Sequence, residues 1–137
     1  MRKELFINPV VAKVTSKFGN RIAPKQGAST FHSGVDLATP LGTDILCPAD
    51  GIVGIVGNDS MNGNFLKVIH DNGYITGYAH LNKVLVKIGE RVSQNDLLAE
   101  TGKSGIATGP CLHFTLRQGR NMNSPTIDPL PYFDFAT

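Results

Sequence analysis

The chain has 137 residues, 41% hydrophobic and 18% charged, the size of one domain with an ordinary core; this excludes a second full domain and a disordered polymer. Thirteen Lys and Arg against eleven Asp and Glu leave a formal charge of +2, too near neutral for a dedicated nucleic-acid binder. No apolar run approaches the roughly 18 residues of a membrane span, and Cys47 and Cys111 allow at most one disulfide, so a disulfide scaffold is excluded.

Gly 15 and Pro 8 favour a turn-rich architecture without long helices. In the first forty residues Pro9, Gly19, Pro24, Gly27, Gly34 and Pro40 interrupt every candidate helix, and the segment reads as ordered loops wrapping a sheet. After Leu41, short β-branched runs alternate with Gly, Asn and Asp clusters, the pattern of an all-β sandwich or barrel. Strands are expected near Asp44 to Cys47, Gly51 to Val56, Phe65 to His70, Tyr74 to Ala79, Leu97 to Glu100 and Leu112 to Arg117. Asp71-Asn72-Gly73 tolerates positive φ and predicts a hairpin, and Gly89 and Asn95 mark tight turns between Val84 and Glu100. From Gly119 the tail carries Pro125, Pro129 and Pro131 with apolar Ile127, Leu130, Tyr132, Phe133 and Phe135, and reads as an extended strap that docks on the core or frays.

Three segments offer chemistry. In Phe31-His32-Ser33-Gly34-Val35-Asp36 an imidazole and a carboxylate lie four positions apart around a glycine and can converge on a metal; alone, the segment reads more readily as a polar turn with a surface histidine. In Cys111-Leu112-His113-Phe114, strand alternation places Cys111 and His113 on one face; alone, the histidine reads as a structural hydrogen-bonder. His80 ends the run Tyr78-Ala79-His80, where a plain polar role is the simpler reading. Cys47 reads as a small buried hydrophobe and His70 as structural or solvent-facing. Gly102-Lys103-Ser104 mimics the end of a phosphate loop, but Leu97 occupies the position of the required first glycine, so ATP binding is discarded.

Together these segments resemble the M23 zinc metallopeptidases, the lysostaphin-type or LytM-like peptidoglycan endopeptidases. The resemblance runs from about Val14 to Arg117: Thr15 to Arg21, then H-x-G-x-D as His32, Gly34 and Asp36, then Ala38 to Thr43 and Ala49 to Val53, then Tyr78 to Leu81, Thr101 to Gly105, and a closing G-P-H-L-H-F in which Cys111 stands at the first histidine. It implies one domain over residues 1–137, with a core over about 14–117 and a C-terminal strap over 118–137. The fold class is all-β, a single antiparallel sheet or barrel-sandwich hybrid related to the duplicated lipoyl-like motif, with a groove built by the loops around Asn20 to Thr30, Asn58 to Gly63 and Lys83 to Lys87.

Carried over by position, the resemblance implies Zn2+ held by His32, Asp36 and His113, which leaves a fourth tetrahedral position open. It implies a proton-handling role for His80 and for position 111; Arg21, with Asn20 beside it, is a candidate to contact substrate in the groove or to brace the site, and Tyr78 a candidate to line the groove, though a strand tyrosine more often packs. A thiol does not reproduce an imidazole that shuttles a proton. Three readings of Cys111 follow: it is tolerated with slower hydrolysis, it joins the metal as a fourth ligand and closes the site, or it is an introduced substitution. The expected activity is zinc-dependent hydrolysis of cross-bridge or stem peptides of bacterial cell wall. The expected partners are peptidoglycan peptides, with no nucleic acid and no membrane span, and the chain is expected to be a monomer.

Two rivals differ in class. A non-catalytic LytM-like module that binds peptidoglycan or activates a partner hydrolase is favoured by Cys111 and opposed by the retained His32, Asp36, His80 and His113. A lipoyl- or biotinyl-carrier domain is suggested by Gly51-Ile52-Val53 and Gly89 to Leu98 but needs a lysine at a hairpin tip with flanking residues absent here. A wall substrate with no signal segment at Met1 to Glu4 points to a released domain, a truncated chain, or a phage lysis or tail component acting outside the cytoplasm.

Overall fold

The computed structural model describes residues 5–20, 31–105 and 109–135, with Asn20 described by its backbone alone. Twelve strands occur among them: β1 (Lys13–Ser16), β2 (Gly19–Asn20), β3 (Phe31–His32), β4 (Val35–Ala38), β5 (Asp44–Leu46), β6 (Gly51–Asp59), β7 (Gly63–His70), β8 (Tyr74–Val84), β9 (Arg91–Val92), β10 (Leu97–Thr101), β11 (Cys111–Gln118) and β12 (Thr126–Ile127). No α-helix occurs in the described residues. The chain is all-β, as expected.

Ten strands form one antiparallel sheet in the order β1-β4-β11-β8-β7-β6-β9, with β10 joining β8 to β5 and β12 flanking β11; β2 and β3 form a separate pair. The sheet is open rather than closed into a barrel. The hairpin between β7 and β8 turns at Asp71-Asn72-Gly73, where Gly73 has φ 89° and Ile69 faces Ile75.

Two expectations for the chain ends need comment. The segment before Pro40 is not only wrapping loop, because β1 and β4 belong to the main sheet. Val35 and Leu37 alternate with Asp36 and are fully buried, but a four-residue strand between Gly34 and Pro40 is too short to show a period. The tail docks. Tyr132, Phe133 and Phe135 are buried, Phe133 and Phe135 lie edge-on to Phe114 at 4.9 and 5.4 Å, and Phe6 stacks on Phe133 at 4.7 Å. Each such ring contributes roughly 1.5–3 kcal/mol by leaving water. Backbone bonds close the strap, with Ala12 N–H donating to the Phe135 carbonyl at 2.8 Å.

The core beneath β4, β8 and β11 comprises Val35, Leu37, Leu66, Tyr78, Leu81, Leu112, Phe114 and Leu116. Strand alternation therefore turns Asp36, Gly77, Ala79, His113, Thr115 and Arg117 to the opposite face. That face carries the candidate site.

β8 changes partners along its length. Residues 74–79 pair with β11, whereas Leu81, Lys83 and Val84 pair with β10. His80 sits at the handover with φ 63°, a left-handed conformation uncommon for a residue with a side chain. Such departures persist only where surrounding contacts hold them.

Cys47 is fully buried, its thiol donating to the Ala49 carbonyl at 3.0 Å, and burial pushes its pKa up to about 11. His70 is also fully buried and structural: Nδ1 bonds the Ala49 carbonyl at 2.8 Å and Nε2 the Thr76 hydroxyl at 2.7 Å. Both described cysteines are free thiols.

Candidate metal centre and groove

The register of β4 on β11 places His113 directly opposite Asp36. His32 arrives from β3 across the turn Ser33-Gly34. A Cβ at Gly34 would run into the Phe114 backbone carbonyl, so the chain between His32 and Asp36 can lie against β11 only without a side chain there. This gives the central glycine of the motif its physical reason.

The three donors meet. The Asp36 Oδ1 lies 2.8 Å from His113 Nδ1 and 3.2 Å from His32 Nε2, and the two ring nitrogens are 3.3 Å apart. All three ligand atoms lie within 4.8 Å of one another, and among the described residues this is the only such group. Ligands at about 2.0–2.1 Å from a tetrahedral zinc stand about 3.3–3.4 Å from each other; the 3.2 and 3.3 Å separations match that spacing, and the 2.8 Å Asp36–His113 pair would open by about half an ångström to share the ion. Their other atoms are braced: His32 Nδ1–H donates to the Lys17 carbonyl at 3.0 Å, and His113 Nε2 lies 3.5 Å from the Ser33 hydroxyl. These bonds assign the inward nitrogens as His32 Nε2 and His113 Nδ1, the outer-shell arrangement that orients metal-binding histidines. Burial alone would raise the Asp36 pKa, but hydrogen bonds from His113 and His32 and their charge outweigh it and hold the carboxyl well below its usual range.

His80 stands beside this cluster, its ring 6.0 Å from that of His113. Its backbone N–H donates to the Asn62 carbonyl at 2.7 Å, and its Nδ1–H donates to the Ser104 carbonyl at 2.8 Å. The Ser104 hydroxyl in turn donates to the Leu81 carbonyl at 2.7 Å and accepts the Asn64 N–H at 3.1 Å. With Nδ1 carrying the proton, neutral His80 keeps its lone pair on Nε2. Burial lowers its pKa, as does the neighbouring His113, against the raising effect of the Ser104 carbonyl. Nothing in the sequence marks Asn62, Asn64 and Ser104 as braces of His80; Asn62 stands out only within the Asn58-to-Gly63 loop and Ser104 only within the Thr101-to-Gly105 run.

Cys111 opens β11 opposite Ala38, held by its N–H to the Gly102 carbonyl at 2.9 Å. It is not among the residues whose donor atoms gather at the cluster. Burial and then the charge of Asp36 push its thiol up to about 11, so it is protonated near neutral pH.

The groove is floored by strands. A cavity of about 390 Å³ runs from Ser33 and His113 across Gly77 and Ala79 to Lys67, Thr115 and Arg117, with Asp59 and Asn62 at its rim. Of the expected loop walls, Asp59 and Asn62 contribute, whereas Lys83 to Lys87 do not line the cavity. Arg21 and residues 21–30 lie outside the described residues, as does the Asn20 side chain. The Tyr78 ring points away from the groove: it is 2% exposed, packs edge-on to Phe114, and bonds its hydroxyl to Thr76 at 2.7 Å, so only its backbone borders the cavity.

Comparison with known proteins supplies the context. The chain is 37% identical over 131 residues to peptidoglycan DD-endopeptidase ShyC of Vibrio cholerae, a match covering 93% of this chain and 30% of that protein. The fold superposes on a zinc-containing peptidase from Vibrio cholerae with TM-score 0.79 and 36% identity, covering 90% of this chain and 39% of the other. It superposes on the catalytic domain of lysostaphin from Staphylococcus simulans with TM-score 0.78 and 29% identity, covering 88% and 90% of the two chains. The chain thus spans about 30% of ShyC but nearly the whole lysostaphin catalytic domain. Peptidase family M23 matches residues 30–129, and the chain belongs to that family.

Proposed function

We propose that this chain is a zinc-dependent endopeptidase domain that hydrolyses peptide bonds in bacterial peptidoglycan, acting outside the cytoplasm. The observation that carries the reading is the convergence of His32, Asp36 and His113 at the end of a groove, with His80 beside them. Membership of a peptidase family and likeness to a peptidoglycan DD-endopeptidase support the substrate class.

His32, Asp36 and His113 would hold the zinc ion. Zinc in such a site supplies Lewis-acid polarisation of a peptide carbonyl and activation of a water. The chain's own residues do the rest. Asp36 stays ionised under the two imidazoles and keeps their nitrogens aimed inward. The Ser104 carbonyl fixes the His80 tautomer, so that Nε2 is available to accept a proton from the attacking water and return it to the leaving amine. Cys111, a protonated thiol at neutral pH, offers a weak hydrogen-bond donor where the family pattern has a second imidazole. The open face of the sheet along β8 and β11 receives an extended peptide.

A second reading, a peptidoglycan-binding or hydrolase-activating module, is favoured by Cys111 alone. Peptide release from purified peptidoglycan, followed by mass spectrometry, separates the two. Chelator-sensitive release by the zinc-loaded protein supports the peptidase. No release by this chain but release by its Cys111→His variant means a metallopeptidase scaffold disarmed at one residue.

A further inference from the structure

The end of the groove away from the metal cluster holds two cations with no matching acid among the described residues. Lys67 on β7 is in register with Gly77 on β8, and Gly77 with Thr115 on β11. Arg117 follows Thr115 on the same face of β11, roughly 13 Å along the strand from His113 at about 3.3 Å per residue. Both side chains line the cavity, and among the described residues neither has a carboxylate within ion-pair distance. The one acid on the cavity wall, Asp59, is already engaged: Oδ1 accepts the Met61 and Asn62 N–H groups at 3.0 and 2.6 Å, and Oδ2 accepts the Asn62 amide at 3.2 Å.

The cations are also held in place. The Lys67 ammonium donates to the Met122 carbonyl at 3.3 Å, the Arg117 Nε–H to the Ser124 carbonyl at 2.7 Å, and its Nη1 to the Thr115 hydroxyl at 3.5 Å. An ammonium has three donors and a guanidinium five, so each retains N–H groups these carbonyls do not use. Burial pulls the Lys67 pKa down and the charge of Arg117 adds to it, while burial does the same to Arg117. Two partly desolvated like charges flanking a glycine floor are disfavoured by themselves and are relieved by an anion placed between them.

We propose that Lys67 and Arg117 form a carboxylate-binding subsite in the groove, which selects peptides bearing a free carboxylate a few residues from the bond at the metal cluster. The inference rests on the peptidase reading for its substrate class and deepens it into specificity. The bare glycine at position 77 gives such a carboxylate access, since a Cβ there would press on the Thr115 hydroxyl.

The test uses the zinc-loaded chain and two probes, a synthetic peptidoglycan stem peptide with its carboxyl groups free and the same peptide with them amidated. The quantity read is the acid-to-amide preference, as a ratio of kcat/KM if the peptides are cleaved and as a ratio of Kd by calorimetry if they are not. Charge-assisted bonds to the pair predict a preference of about tenfold to hundredfold for the acid. In Lys67→Gln and Arg117→Gln the acid-to-amide preference falls towards one, and Arg117→Lys recovers part of it. A parent without preference, or variants that weaken acid and amide equally, overturns the subsite and leaves the cations as anchors of the Met122-to-Ser124 segment. A preference kept in both variants assigns the carboxylate to the metal instead and also overturns it. Acid-selective binding without cleavage by the chain or by its Cys111→His variant retains the subsite and sinks the peptidase reading.

Discussion

The His80 Nδ1 and the Ser104 carbonyl lie 2.8 Å apart, and this one bond joins the residue of left-handed backbone in β8 to the loop that follows β10. The Ser104 hydroxyl ties the same loop back to the Leu81 carbonyl and the Asn64 N–H. The imidazole is thus set by the loop after β10, which is itself tied to β7 through Asn64 and back to β8 through Leu81.

Replacing His80 by Gln is expected to lower turnover about 10²- to 10⁴-fold, the usual worth of a positioned acid or base, with zinc content unchanged. Ser104→Ala removes two side-chain bonds but keeps the carbonyl. It should cost about 1–2 kcal/mol in chemical denaturation and reduce turnover less than His80→Gln does. Zinc loss in either variant would place His80 among the ligands.

Asp36→Ala takes away the carboxylate that contacts both the His32 and the His113 imidazoles. Elemental analysis should show a fall in zinc occupancy while circular dichroism shows a folded sheet, because Asp36 faces the groove and not the core. Full zinc retention would reject Asp36 as a ligand.

Gly77→Val builds a branched side chain where even a Cβ meets the Thr115 hydroxyl, with Lys67 close by. The variant is expected to bind zinc as the parent does and to release little or no peptide from peptidoglycan. Unchanged release would mean that the peptide does not lie over β8.

Cys111→His restores an imidazole beside the cluster. If the thiol limits proton transfer, turnover rises about 10²-fold or more, measured as peptide release at fixed zinc. An unchanged rate would show that His80 handles the proton without help from position 111.

Stability should fall in mild acid. Burial lowers the His70 pKa in the folded chain, so the unfolded chain takes up the proton first. The contribution of neutral His70 is therefore complete above the ordinary histidine pKa of about 6.5 and is lost as pH falls from there through the lower folded value. Denaturation midpoints of zinc-free protein at pH 7 and pH 5 should differ, and the difference should shrink in His70→Gln. An equal difference in both would assign the effect to other groups.

The candidate site was legible because several short motifs stand together in the order of one family, although each motif alone reads more readily as structure. His32-x-Gly34-x-Asp36 and the alternation that pairs position 111 with His113 needed no knowledge of the fold, and the hairpin at Asp71-Asn72-Gly73 announced itself through its turn residues. The all-β class followed from β-branched runs broken by Gly and Asn.

The tertiary structure decided what depends on who lies opposite whom. Whether Tyr78 meets substrate or core could not be read from Tyr-Ala-His, since a one-residue change of face follows from the pairing of β8 with β11. The Ser104 brace of His80 and the shared cavity wall of Lys67 and Arg117 bring together residues separated by 24 and 50 positions, and such neighbours leave no local period in the chain. The residue order alone established which motifs are present and how they follow one another; strand register decided that the donor atoms of His32, Asp36 and His113 converge and what faces the groove beside them.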